Sequence, residues 1–223
     1  MLSKRATVNE IAAEYPVSTR IFQRHKINFC CGGSVPLAEA CANKGIEVQT
    51  VVAEIEREIE LASPEELETW LNRPTGELIE HILTKYHRPL DDALPHLEFL
   101  ATKVARVHGE LDPTLLDLAY NVVQLKEELE SHFIKEEQVL FPAILAGEAE
   151  KLACPIAVML RDHEDAERHL EAIRELTHDY QKPPHACGSW RALWDGLYEL
   201  ERSLQEHIHL ENTVLFPRVG PPA

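Results

Sequence analysis

The sequence predicts an all-α protein in which a small helical N-terminal domain precedes an up-down-up-down four-helix bundle. Three observations lead to this fold class. Four long stretches carry apolar residues at alternating spacings of three and four, which is the period of one helix face. Short segments containing proline or glycine separate these stretches, so neighbouring helices are expected to be antiparallel. Ahead of the long stretches lies a region of shorter ones, interrupted by Pro16, Gly45 and a Gly-Gly pair.

Residues 1–62 are interpreted as the small helical domain. Thr7 and Glu10 have the spacing of a capping box, which opens a first short helix that Pro16 ends. Three further helices are predicted over residues 19–26, 36–45 and 48–59. The segment Asn28-Phe29-Cys30-Cys31-Gly32-Gly33 is predicted to be a turn because of its two glycines. Small orthogonal helices resemble a DNA-binding helix-turn-helix, but this region lacks the basic surface that DNA binding requires.

Residues 63–75 are acidic and interrupted by prolines, which predicts a linker, and residues 76–223 are assigned to the bundle. Pro89 and Pro95 are expected to kink the first long helix. The four helices are predicted from about Gly76 towards His108, from Asp112-Pro113 to before Gly147, from Pro155 to Pro183-Pro184, and from about Ser189 to Pro217.

Composition restricts the class of partner. The formal net charge is −16, from 38 acidic and 22 basic residues among 223. This charge disfavours nucleic-acid binding, which depends on Lys and Arg. The N-terminus lacks the apolar core of a signal peptide, and no unbroken apolar stretch is long enough to span a membrane. Five cysteines, two of them adjacent, suggest no disulfide framework. We therefore expect a cytoplasmic protein without nucleic-acid or membrane partners.

One pattern occurs twice in the bundle. His132 and Glu136 in one copy, and His207 and Glu211 in the other, are four residues apart, and a Phe-Pro pair follows nine residues after each His. Residues four apart share a helix face, and both pairs fall where leucine is expected. The first seam runs Leu118, Val122, Leu125, Leu129, His132, Glu136, Val139, Ala143. Since an uncompensated buried carboxylate is costly, the pairs indicate a shared bound metal.

The other two long helices each place a histidine on their own seam. His87 on the first and His163 on the third lie at about the same depth as the two pairs. A single inward His is more often a core residue than a ligand, but six polar residues at one level favour a metal site. The predicted site has two metal ions bridged by Glu136 and Glu211, with four His as terminal ligands. Iron is favoured, with manganese or zinc as alternatives.

Several further residues are weighed and placed outside this site. Glu167, one turn after His163, is expected to support the ligands rather than bind metal. His108 is 21 residues after His87, about 31 Å along a continuous helix, which is too far to share the site. The remaining histidines are interpreted as solvated or locally bonded. Cys41, Cys154 and Cys187 are interpreted as single structural thiols.

Cys30 and Cys31 form the second candidate functional feature. Adjacent cysteines form a disulfide only with strain, so the pair is expected to be reduced, redox-active or metal-seeking. The flanking glycines are expected to leave both thiols accessible, which favours redox or iron-transfer chemistry over a purely structural role.

These residues resemble a known family. The inward His–Glu bundle resembles the hemerythrin-like domain, and the Cys-Cys-Gly-Gly turn in a small helical unit resembles the ScdA-type domain. In this order, with Tyr86-His87, Val107-His108, Glu136-Glu137-Gln138 and residues 212–217, they are similar to the repair-of-iron-centres (RIC) family of di-iron proteins. The resemblance implies an oxo-bridged di-iron centre and a role in restoring iron–sulfur clusters damaged by nitric oxide or oxidants. It also includes a His matching His108.

Three functions follow as hypotheses. The leading one is a stress-repair protein, monomeric or homodimeric, that donates iron to damaged iron–sulfur proteins or processes NO, assisted by Cys30 and Cys31. The alternative is a hemerythrin-like sensor or carrier of O2 or NO. The third helix lacks a second His one turn from His163, so the resemblance favours a more open centre over simple O2 carriage. A third hypothesis is a di-iron oxidase or NO reductase; whether the protein is an enzyme stays open.

Overall fold

The computed structural model describes residues 5–64 and 66–220. Residues 1–4 and 221–223 of the predicted domains, and Glu65 of the predicted linker, lie outside this range. The regular structure of the described residues is helical, apart from an isolated bridge between Thr7 and Pro36. The predicted all-α fold, a helical bundle after an N-terminal helical region, is confirmed. None of the helices in this part of the chain is long and apolar enough to cross a membrane.

The helices alternate with short turns along the chain. Within residues 5–64 and 66–220, 3-10 turns occur at Trp70–Asn72 and Ala149–Lys151. The α-helices are α1 (Val8–Glu14), α2 (Ser18–Arg24), α3 (Leu37–Asn43), α4 (Val48–Leu61), α5 (Thr75–Ile82), α6 (Arg88–His108), α7 (Thr114–Lys135), α8 (Phe141–Leu145), α9 (Ala153–Leu176), α10 (Gly188–His209) and α11 (Phe216–Val219).

The chain divides into two compact units. One unit contains the residues up to Leu78 together with those from Gln205 onwards. Its α1 to α4 enclose a core that includes Ile11, Phe22 and Phe29. The predicted capping box is confirmed, because the Thr7 side chain accepts from the backbone N–H of Glu10 while the Glu10 carboxylate accepts from the backbone N–H of Thr7.

The other unit, Ile79–Leu204, contains the main part of the four-helix bundle. Helix α7 packs against α6 and α9. Helix α10 approaches α6 so closely that a Cβ added at Gly196 would lie 2.6 Å from Leu97 Cδ2. An ion pair between Arg174 and Glu201 joins α9 to α10. The helices of this unit therefore pack as four long neighbours around an apolar interior.

Three single π-helical turns interrupt the long helices, at Leu83–His87, Glu136–Leu140 and Leu210–Leu215. A proline follows two residues after each turn: Pro89, Pro142 and Pro217. Proline has no backbone N–H, and its ring displaces the carbonyl four residues before it. The regular ladder is broken at that point, and a π-turn with one extra residue accommodates the break.

The π-turn explains one wrong core prediction. Val139 is 55% exposed, whereas Leu140 is 1% exposed. The extra residue of the turn moves the buried face on by one position, which a regular helical period does not anticipate. The predicted end of the last helix also differs from the structure. The sequence predicts an end at Pro217, but α11 continues to Val219 because proline is tolerated in the first turn of a helix.

Candidate metal centre

Four of the predicted ligands lie in the unit Ile79–Leu204, and all four are buried. His87 and Glu136 are 0% exposed, His163 is 2% exposed and His132 is 3% exposed. His87 ends the first π-turn and Glu136 begins the second, while His132 and His163 lie within α7 and α9. The structure therefore brings these polar groups into an otherwise apolar interior, as predicted from the seams.

The side chains surround one carboxylate. Glu136 Oε2 lies 3.4 Å from His87 Nε2 and 3.2 Å from His132 Nε2. The ligand atoms of His132, Glu136 and His163 all lie within 4.8 Å of one another. Atoms that bind one cation at about 2.1 Å are separated by roughly 3 to 4 Å. The spacing and the mixed nitrogen and oxygen donors therefore suit a transition-metal ion.

On His87 and His132, the ring nitrogen that faces away from Glu136 contacts a second carboxylate. Nδ1 of His87 lies 2.9 Å from Glu137 Oε1, and Nδ1 of His132 lies 3.3 Å from Asp162 Oδ2. An imidazole that donates from Nδ1 keeps a lone pair on Nε2, the atom on the side of Glu136. Such carboxylate–histidine contacts fix the ring and make the ligand nitrogen more basic.

Neighbouring cations keep both supporting carboxylates ionised. Burial raises the pKa of Glu137, but hydrogen bonds from Arg88 and from the imidazole outweigh it and hold the pKa below its ordinary value. The hydrogen bond with His132 is the largest influence on Asp162, and together with Lys135 it lowers the pKa against the effect of burial. Both groups therefore remain hydrogen-bond acceptors near neutral pH.

The Phe of the repeated motif packs near a predicted ligand, His87. The His87 ring stacks on Phe133 with centroids 4.3 Å apart, and the Phe141 centroid lies 6.0 Å away. Phe141 belongs to the Phe-Pro pair that follows the second π-turn. The motif thus supplies both the proline that shapes the turn and an aromatic ring beside a ligand.

The remaining predicted ligands, His207 and Glu211, lie in the unit that contains the N-terminal helices. Both are 0% exposed, and His207 Nε2 lies 3.1 Å from Glu211 Oε1. His207 is in the last turn of α10, and Glu211 is in the π-turn Leu210–Leu215. The predicted pairing of imidazole and carboxylate within the second motif is present.

This second ligand turn is attached to the Cys-Cys turn of the same unit. Nδ1 of the buried His209 lies 3.1 Å from the carbonyl oxygen of Phe29, so the ring donates to it. Nδ2 of Asn212 donates to the carbonyl oxygen of Cys30 at 3.4 Å. Burial lowers the pKa of His209 to about 4, so its ring is neutral at pH 7. Neutral hydrogen bonds to backbone carbonyls therefore hold the turn.

The Cys-Cys turn is organised by one side chain. Oδ1 of Asn28 accepts hydrogen bonds from the backbone N–H groups of Cys30, Cys31 and Gly32 at 3.1, 3.2 and 3.0 Å. The expectation that both thiols are accessible is wrong, because Cys30 is 4% exposed while Cys31 is of intermediate exposure.

Sequence reasoning missed several residues around the ligands. Glu137 and Asp162 contact the imidazoles of His87 and His132, and His209 contacts the Cys-Cys turn. None of the three replaces an apolar residue on a predicted seam. The sequence gives one hint for Glu137 and Asn212: each directly follows a predicted ligand, Glu136 or Glu211. Glu167 is buried on α9, and its supporting role stays a prediction.

The interpretation of Cys154 and Cys187 as structural thiols is wrong, because both are exposed, whereas Cys41 is buried. Sγ of Cys187 lies 3.4 Å from Nε2 of His108. His108 is the last residue of the uninterrupted α6, which confirms that it lies far along the helix from His87.

Comparisons with known proteins give a consistent result. Residues 78–219 match the family described as "Hemerythrin HHE cation binding domain", and residues 4–58 match ScdA_N, described as a domain of unknown function. The chain is 39% identical over 211 residues to proteins named "Iron-sulfur cluster repair protein YtfE" from Citrobacter koseri, Escherichia coli O17:K52:H18 and Escherichia fergusonii. Each alignment covers 95% of this chain and 94% of the relative.

Proposed function

The chain belongs to the family of hemerythrin-type iron–sulfur cluster repair proteins, and we propose that it restores iron–sulfur clusters damaged by nitrosative or oxidative stress. In this proposal residues 1–62 form the ScdA-type domain, residues 63–75 the linker and residues 76–223 the di-iron bundle. The partners are damaged iron–sulfur proteins and the small gases NO and O2.

Two iron ions joined by an oxo bridge are the proposed cofactor. Glu136 and Glu211 would hold the ions together with His87, His132, His163 and His207. One observation carries the proposal: two His–Glu pairs with the same sequence pattern are buried to within 3% exposure at positions that otherwise hold leucine. Buried acids of this kind persist where a cation compensates them.

The side chains of this protein have distinct roles in that centre. Bound iron supplies metal that can be passed to a depleted cluster, and a position at which a small gas can bind. Glu137 and Asp162 accept the Nδ1–H of two ligand histidines and thereby orient Nε2. Phe133 and Phe141 cover the His87 ring and exclude water from it.

Cys30 and Cys31 are proposed as the thiols that assist iron transfer or redox chemistry. Cys31 is of intermediate exposure, and the carbonyl oxygen of Cys30 accepts a hydrogen bond from Asn212, the residue after Glu211. Thiolates are suitable temporary ligands for iron. A cytoplasmic setting belongs to the proposal and agrees with the absence of any disulfide among the five cysteines, all of which are described. A monomer or a homodimer is equally compatible with it.

The experiment compares iron delivered by this protein with iron in solution. An iron–sulfur enzyme is inactivated with NO, then incubated with iron-loaded protein or with the same concentration of ferrous salt. We expect faster and more complete recovery with the protein, and loss of the advantage in Glu136→Ala and Glu211→Ala. His96→Ala, which changes an exposed histidine of α6, is the matched control. Equal recovery with ferrous salt alone would contradict iron donation.

The same preparation distinguishes the alternative function. A sensor or carrier forms a reversible adduct with O2 or NO, and its iron content is unchanged after the gas is removed. A repair protein instead loses iron to the recipient enzyme. Measuring the iron of both proteins after they are separated therefore decides between the two hypotheses.

A further inference from the structure

A group of reactive side chains lies at the end of α6 and the start of α10, within the unit Ile79–Leu204. It consists of His108, His185, Cys187 and Trp190, and we call it the His108–Cys187 cluster. Nε2 of His108 lies 3.4 Å from Sγ of Cys187, which is within hydrogen-bonding distance for sulfur. Cys187 is exposed and His108 is half-buried.

The imidazole is positioned to act as a base for the thiol. His108 is the last residue of α6, where the helix dipole favours a positive charge. A neighbouring imidazolium stabilises a thiolate, which is the nucleophilic form of cysteine. The His108 ring is held by Trp190, with centroids 5.1 Å apart.

A buried indole ring lies beside the imidazole. Trp190 is 1% exposed, and its ring centroid is 5.1 Å from that of His108 and 5.5 Å from that of His185. The cluster therefore offers a nucleophile and a base next to a buried aromatic ring.

We propose that the His108–Cys187 cluster is a peroxide-reactive thiol site, separate from the metal centre. His108 Nε2 takes the thiol proton, and the Cys187 thiolate attacks one oxygen of hydrogen peroxide. The S–O bond forms as the O–O bond breaks, and the departing hydroxide receives the proton from His108 as water. Sulfur is oxidised to a sulfenic acid and peroxide is reduced by two electrons. This site does not depend on the proposed repair function.

Cys154 provides a matched internal control, since it is also exposed and lies in the same unit. The full-length chain, iron-loaded and iron-free, is treated with hydrogen peroxide at pH 7. Sulfenic acid is trapped with dimedone, and the rate is measured for each cysteine by peptide mass spectrometry. We expect Cys187 to react at least about tenfold faster than Cys154 in both forms. Equal rates for the two cysteines would overturn the proposal.

Two variants separate the roles within the cluster. His108→Gln is expected to reduce the Cys187 rate to about that of Cys154, both with peroxide and with iodoacetamide. Trp190→Phe, which keeps an aromatic ring beside His108, is the control and is expected to change neither rate. An unchanged Cys187 rate in His108→Gln would overturn the role of the base. Circular dichroism establishes that each variant is folded, and His108→Gln alone decides the proposal if Trp190→Phe does not fold.

Discussion

The two ligand turns, Glu136–Leu140 and Leu210–Leu215, share a sequence pattern and a π-helical backbone but differ in their surroundings. Charged side chains support the first, since the carboxylates of Glu137 and Asp162 hold the ligand imidazoles. Neutral hydrogen bonds support the second, where His209 and Asn212 donate to the backbone of the Cys-Cys turn. The comparison shows that local sequence determines the backbone of a ligand turn, whereas its packing partners determine its electrostatics.

The largest effects are expected from replacing the acid of each turn by the leucine that its position would otherwise hold. Glu136→Leu and Glu211→Leu should each weaken iron binding by more than about 100-fold, since a ligand is lost outright. Each should also destabilise the iron-free chain by about 1–3 kcal/mol, because the buried imidazoles that contact the carboxylate lose that partner. Chelator competition measures the first effect, and urea unfolding measures the second.

Glu164→Leu, at an exposed position of α9 next to His163, is the control for these two variants. It should change neither quantity beyond the error of the measurement. If one of the two turns tolerated leucine without losing iron, the equivalence of the turns would be broken.

The next effect tests the charged support of the first turn. Asp162→Asn and Glu137→Gln should each weaken iron binding by about 10–100-fold, because the imidazoles lose an ionised acceptor that fixes their orientation. The iron-free fold should be largely unaffected, as both positions are only partly buried. Glu164→Gln is the isosteric control, and native affinity in Asp162→Asn would refute the role given to this carboxylate.

A smaller effect tests the neutral support of the second turn. His209→Phe leaves the carbonyl of Phe29 without this donor, which should destabilise the iron-free chain by about 1–3 kcal/mol. Urea unfolding, with His96→Phe on an exposed face of α6 as the control, gives the difference in free energy. Unaltered stability would show that the contact between the ligand turn and the Cys-Cys turn contributes nothing.

The smallest expected effect is a difference between the two turns in how hydrogen exchange responds to salt. Ion pairs at partly exposed groups contribute about 0–1 kcal/mol and are screened at high ionic strength. Hydrogen exchange of peptides covering residues 132–140 should therefore increase slightly in 1 M salt. Exchange of peptides covering 207–215 should stay constant. A response of equal size in both turns would remove the electrostatic distinction.

Periodicity was enough to predict the helices, the buried seams and the six proposed ligands, because a polar residue on an apolar face is visible in the sequence. It was not enough to place Val139, since the period changes within a π-turn. The contact between His209 and Phe29 joins residues 180 positions apart, and no local pattern records it. His108 and Cys187 lie 79 positions apart for the same reason.

The central proposal is that the two His–Glu pairs share a pair of iron ions. Iron analysis combined with Mössbauer and EPR spectroscopy of the oxidised, full-length protein tests it directly. We predict two irons per chain, coupled through their bridges, with no EPR signal from isolated ferric iron. One iron per chain, or two that give the spectrum of uncoupled high-spin ferric ions, would contradict the shared centre.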